Sequence, residues 1–159
     1  MEPLVKPNMK PLMKEVRLAK MFFLAERLGG VFYDRFSAGV PNGDVGASFA
    51  GFAREEHDHA DWYTAWLRAR GHEPPNPALY KTLVVAPIEL SLTGQPLKRK
   101  LVAFSRTEAA AARHLRFLAT RIRDAELKAI VEKTIPYEEK HAHWYEREGR
   151  RMVRARDEG

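Results

Sequence analysis

The spacing of apolar residues along the chain predicts an all-α protein. Over long stretches, apolar side chains recur every three or four positions, which is the period of a helix that buries one face. No stretch alternates clearly enough to predict a strand. The predicted helices span residues 12–38, 47–70, 97–121 and 124–156.

The connections between these helices differ in length, and this difference predicts the topology. The first connection, "GVPNGDVG", is short and dense in helix-breaking residues. The middle connection covers residues 72–96 and is long enough to run the length of a bundle. Within it we expect a short helix at about 79–91, interrupted near Pro87. In the fourth helix Pro136 cannot donate a backbone hydrogen bond, so we expect a kink or a break there.

One pattern occurs twice in the chain, at an offset of 82 residues. In both "EEHDHADWY" and "EEKHAHWYE" a glutamate precedes a histidine by three positions, and a lone glutamate stands 30 residues before each pair. The repeat indicates a duplicated helical hairpin. Its residues are Glu26, Glu56 and His59 in the first half and Glu108, Glu138 and His141 in the second.

All four glutamates of the repeat occupy helical positions that the apolar pattern assigns to the core. Glu56, for example, shares its face with Phe49, Phe52 and Tyr63. A buried carboxylate is costly unless it is paired or bound to a metal. Two divalent metals would balance four carboxylates, and this ligand set is the one that di-iron helical bundles use. Oxygen and nitrogen donors without thiolates suit iron or manganese, so we expect two iron ions, with an Mn/Fe or Mn/Mn pair as the alternative.

Composition and charge limit the kinds of metal site and the partners that this chain can have. The 159 residues contain no cysteine, which excludes disulfides, thiolate zinc sites and a rubredoxin-type iron site within this chain. The length predicts one domain, residues 1–159. No apolar run is long enough to span a bilayer and no signal-peptide core is evident, so we expect a cytoplasmic protein. The net charge of +6 allows nucleic acid or a membrane surface as a partner, but a solvated basic surface is favoured.

The repeated motifs resemble those of the ferritin-like di-iron carboxylate superfamily, on its rubrerythrin-like branch. The resemblance covers about residues 12–150. It implies a ferritin-like four-helix bundle with one long crossover, in which the helical hairpins 12–71 and 97–156 are joined by residues 72–96. The chain departs from rubrerythrins at Ala111, where that family carries a further glutamate ligand.

The resemblance also implies a role for each residue of the repeat. Glu56 and Glu138 would bridge the two metals. Each remaining glutamate and histidine of a half would bind one metal. These pairs are Glu26 with His59, and Glu108 with His141.

Three tyrosines lie on the same helical faces as the glutamates of the repeat. They are candidates for hydrogen bonding to the ligands or for radical transfer near the metals, and the alternative is that they only pack in the core. These tyrosines are Tyr33, Tyr63 and Tyr145.

The expected function is that of a di-iron oxidoreductase reacting with O₂ or H₂O₂, as an oxidase, a peroxidase or a small-molecule oxygenase. Such a protein needs an external electron donor and can take a small organic substrate, and we expect a homodimer. The alternatives are a ferroxidase or iron-handling protein, a hydroxylase of an anionic or membrane-borne substrate such as tRNA or a quinone, and a metal-binding bundle without activity.

Overall fold

A computed structural model describes residues 13–40 and 43–157, with side chains through residue 152. The described residues form four long helices and a helical crossover, and they contain no strand, which confirms the predicted all-α fold. The observed helices differ from the predicted ones by at most three residues at their ends. They are α1 (Met13–Gly39), α2 (Asp44–Arg68), α3 (Ala78–Tyr80), α4 (Ala86–Leu92), α5 (Leu97–Ala119) and α6 (Ala125–Asp157).

The four long helices pair as two hairpins. Helix α1 packs along α2, and α5 packs along α6. The hairpins meet where α2 contacts α6, so the two helices that carry the Glu-x-x-His pairs are neighbours. The backbones of α1 and α5 approach each other less closely, and α1 instead contacts the crossover.

The crossover, residues 72–96, contains a continuous helical segment from α3 to α4. The interruption predicted near Pro87 is wrong, because the backbone widens into a π-helical turn at Lys81–Val85 instead of breaking. Pro87 has no N–H group to donate to the carbonyl of Leu83, and a proline ring crowds that carbonyl. The N–H of Ala86 bonds the oxygen of Lys81, five residues back, which is the π-helical spacing.

Helix α6 continues through Pro136. Of the kink or break predicted there, a break does not occur. Its start is fixed by Asp124, whose side chain accepts the N–H of Leu127 at 2.8 Å as a helix cap. The same carboxylate accepts the indole N–H of Trp66 at 3.1 Å and a guanidinium N–H of Arg70 at 2.9 Å. The end of α2 is therefore joined to the start of α6.

Two clusters of buried apolar side chains fill the bundle, one toward each end. The first includes Phe22 and Trp66, and the second includes Phe49 and Phe104. Along every long helix, the glutamate of the repeat falls between residues of the two clusters. The polar residues thus form one layer between two apolar layers. No described helix has a stretch that is both long and apolar enough to cross a membrane.

Candidate metal centre

The six residues of the repeat meet in this polar layer. They form two groups of four, and within each group the donor atoms lie within 4.8 Å of one another. Glu56 and Glu138 belong to both groups. The other members are Glu26 and His59 in the first group and Glu108 and His141 in the second.

All six side chains are removed from solvent. The four glutamates are between 4% and 7% exposed, and both histidines are 0% exposed. Burial raises the pKa of Glu56 well above its usual value, and the carboxylates of Glu26 and Glu108 raise it further. Burial likewise raises the pKa of Glu138, with the neighbouring Glu108 and Glu56 adding to the effect. The cluster therefore resists full ionisation unless cations compensate its charge.

His141 lies between two carboxylates from α2. Its Nε2 is 2.7 Å from Glu55 Oε2, and its Nδ1 is 3.5 Å from Glu56 Oε1. The N–H of Nε2 donates to Glu55, which directs the Nδ1 lone pair toward the glutamate cluster. Burial lowers the pKa of His141 despite the opposing effect of Glu55, so the imidazole is neutral near pH 7.

Glu55 was missed by the sequence reasoning. It precedes the bridging candidate Glu56 but points to α6, where Lys140 also donates to it. Partial burial acts against ionisation, yet hydrogen bonds from Lys140 and His141 lower the pKa of Glu55. The adjacent acidic pair in "EEH" is its only signal in the sequence, and nothing within one helix indicates a partner 86 residues away.

The other histidine has different surroundings. Under the 82-residue offset of the repeat, His59 corresponds to His141, and Glu55 corresponds to Tyr137. Tyr137 packs edge-to-face on the His59 ring at 4.7 Å between centroids, and His59 Nε2 is buried without a hydrogen-bonding partner among the described residues. His59 Nδ1 lies 2.9 Å from Glu26 Oε2. The two halves of the centre are therefore chemically unequal.

The residues fit a pair of divalent metals. Glu56 Oε1 and His141 Nδ1 are buried without hydrogen-bonding partners among the described residues, although buried polar atoms are nearly always satisfied. Both face the shared cluster, and four carboxylates with two imidazoles are a donor set typical of iron and manganese. Metal binding would account for these unpaired atoms and for the concentration of buried acid.

The three candidate tyrosines have unequal relations to the cluster. The Tyr33 hydroxyl donates to Glu108 Oε1, and burial together with the Glu108 charge raises the pKa of Tyr33 well above its usual value. The hydroxyls of Tyr63 and Tyr145 are buried without hydrogen-bonding partners among the described residues. Tyr63 packs in the first apolar cluster and Tyr145 in the second.

Two adjacent glycines in α1 admit side chains from α2. A Cβ atom added at Gly29 would lie 2.8 Å from Glu56 Oε2, and one added at Gly30 would lie 2.5 Å from the ring of His57. The absence of a side chain at Gly29 therefore leaves space for the Glu56 carboxylate. His57 itself turns away from the cluster, with its Nε2 2.9 Å from Asp34 Oδ2.

A four-helix bundle with a buried layer of four glutamates and two histidines defines a ferritin-like protein of the di-iron carboxylate class. The Rubrerythrin family model matches residues 20–149, and the chain belongs to this family. The match confirms the resemblance and contains all six residues of the repeat. A comparison with curated proteins gives no match, and a comparison with solved structures gives none either.

Proposed function

We propose that this protein is a di-iron redox enzyme that reacts with O₂ or H₂O₂. The observation that carries the proposal is the pair of donor groups that share Glu56 and Glu138. In this proposal Glu56 and Glu138 would each contribute to holding both metals. Glu26 and His59 would hold one metal, and Glu108 and His141 would hold the other.

Charge balance supports two divalent ions. Four carboxylates carry four negative charges, and two divalent metals supply four positive charges. The lowered pKa of His141 supports a neutral imidazole ligand, which adds no charge. Iron is favoured because bound Fe²⁺ can supply electrons to O₂ or H₂O₂, and an Mn/Fe or Mn/Mn pair remains the alternative.

The protein would position the metal ligands, shield them from solvent and donate hydrogen bonds to them. The burial of the ligands limits their contact with bulk water and strengthens electrostatic interactions there. Glu55 orients His141, and the Tyr33 hydroxyl donates a hydrogen bond to Glu108 Oε1. The electrons that restore the reduced state would come from an external donor.

A second candidate is an oxygenase or hydroxylase for an organic substrate. A cavity of about 510 Å³ that reaches Glu26, Glu56, Glu108 and Glu138 favours it over a centre that admits only small oxidants. The apolar lining of that cavity supports a lipophilic substrate more than an anionic one.

The test begins with metal-free protein loaded anaerobically with Fe²⁺. Two irons per chain, followed by oxidation on adding O₂ or H₂O₂, would support the proposal. Faster oxidation by H₂O₂ favours a peroxidase, and faster oxidation by O₂ favours an oxidase or oxygenase. Protein that binds no iron, or binds iron that neither oxidant affects, would overturn it. Measuring the size of the protein in solution distinguishes this proposal from iron storage. A storage cage needs a large oligomer, whereas we expect a homodimer.

A further inference from the structure

A cavity of about 510 Å³ lies between α1, α5 and the crossover, and four carboxylates line its inner part. This volume is within the usual range for small-molecule sites. Leu28, Phe32, Val85, Ile88 and Phe104 supply much of the wall.

The polar side chains of the lining carry no positive charge. Besides the four glutamates they are Tyr33, Ser91 and Thr107, and no Lys, Arg or His among the described residues lines the cavity. An anionic ligand would meet no cationic side chain here, and it would have to approach buried carboxylates. A neutral ligand with a hydrocarbon surface would gain free energy by leaving water for this wall.

The crossover forms the outer wall and gives the cavity an opening. Val84 and Ile88 line the cavity and are still 41% and 44% exposed, whereas Val85 is 2% exposed. The π-helical turn before Pro87 contains both valines, and such turns are frequent at functional sites. The inner end is kept open by small residues, because Gly29 and Ala111 also line the cavity.

We propose that this cavity binds a neutral, largely apolar organic molecule, which enters past the crossover and rests against the glutamate layer. Its role as the substrate site rests on the proposed metal centre. Its ability to bind the molecule does not, because most of the wall is built from apolar side chains that are not metal ligands.

The test uses metal-free protein and naphthalene as the probe, with binding measured by fluorescence titration. We expect saturable binding, and 2-naphthoate, the same ring system with a carboxylate, should bind at least tenfold more weakly. Ala111→Phe places a ring in the inner part of the cavity, against the glutamate layer, and should lower naphthalene affinity at least tenfold. Ala110→Phe, at the neighbouring exposed position outside the lining, should leave affinity unchanged.

A second variant covers the case in which Ala111→Phe fails to fold. Ala103 lines the cavity at an exposed position of α5, so Ala103→Phe should fold and should also weaken binding. Absence of saturable naphthalene binding would overturn the proposal, as would equal affinity for naphthoate or equal effects of the lining and control variants. Because naphthalene binding is measured on metal-free protein and metal content separately, a protein that binds no metal could still confirm or refute the proposed cavity.

Discussion

The Nε2 atom of His141 lies 2.7 Å from Oε2 of Glu55, and this contact joins two helices at the candidate metal centre. It fixes which ring nitrogen carries the proton, and it holds the ring with Nδ1 toward Glu56. The corresponding residue beside His59 is Tyr137, whose ring packs edge-to-face with the imidazole where His141 has a carboxylate. We therefore expect the two metal positions to differ in affinity.

Glu55→Ala should lower the iron affinity of the position that includes Glu108 and His141 by about 10- to 100-fold. This is the usual effect of losing a group that orients a metal ligand. The other position should change little. Glu55→Gln should recover most of the affinity because its amide oxygen can still accept the Nε2 proton. Anaerobic Fe²⁺ titration with calorimetric detection would resolve the two positions. Glu73→Ala, at an exposed ion pair, is the control. Unchanged binding of both irons by Glu55→Ala would refute the assignment.

Glu56→Gln should stabilise the metal-free protein while it abolishes binding of a full metal pair. The raised pKa of Glu56 means that the folded state holds a proton that the unfolded state has lost above about pH 4.3. Stability of the wild type then falls as pH rises from that value toward the folded-state pKa. Glu56→Gln does not lose stability in this way. The difference in free energy of unfolding between the variant and the wild type should therefore grow with pH and reach about 1–4 kcal/mol near neutrality.

Denaturant unfolding of both metal-free proteins at pH 5 and pH 7.5 would measure this difference. Glu73→Gln serves as the comparison, because Glu73 is exposed and no buried charge is removed. An advantage that shrinks as pH rises would contradict the predicted sign. Full metal occupancy in Glu56→Gln would contradict its bridging role.

Gly29→Ala should lower metal affinity at least tenfold without unfolding the protein. An added methyl group at this position stands 2.8 Å from Glu56 Oε2 and must displace that carboxylate. Gly51→Ala is the matched control, because the nearest atom to its Cβ is Arg54 Nη2 at 3.9 Å. That control should gain about 0.5–1 kcal/mol of stability from helix propensity and keep its metal affinity. Equal iron binding by the two variants in a competition assay would show that Gly29 does not set the position of Glu56.

Tyr33→Phe should destabilise the metal-free protein by about 1–3 kcal/mol, because it removes the hydroxyl that donates to the buried Glu108 carboxylate. Tyr63→Phe should cost less stability than Tyr33→Phe, since the Tyr63 hydroxyl donates to no carboxylate among the described residues. Thermal or denaturant unfolding of both variants at pH 7 checks the contrast. Similar losses from the two substitutions would mean that the Tyr33–Glu108 bond contributes little.

The long helices could be predicted from sequence because each buries one face against its neighbours, which imposes a period on the apolar residues. The six candidate ligands could be predicted because duplication repeats them at one offset within that buried face. The predicted interruption near Pro87 was wrong because a helix can accommodate proline with a wider π-helical turn. Pro136 likewise did not break α6.

The sequence by itself determined the all-α bundle and the buried acidic layer, since both depend on periodicity within single helices and on the repeat. Only the tertiary structure decided that Glu55 meets His141, that Tyr137 packs on His59, and that the crossover forms the outer wall of an apolar cavity beside the glutamates. These contacts join residues on different elements. They depend on how the helices rotate and where the crossover runs, which is decided by packing across the whole bundle and not by any local pattern.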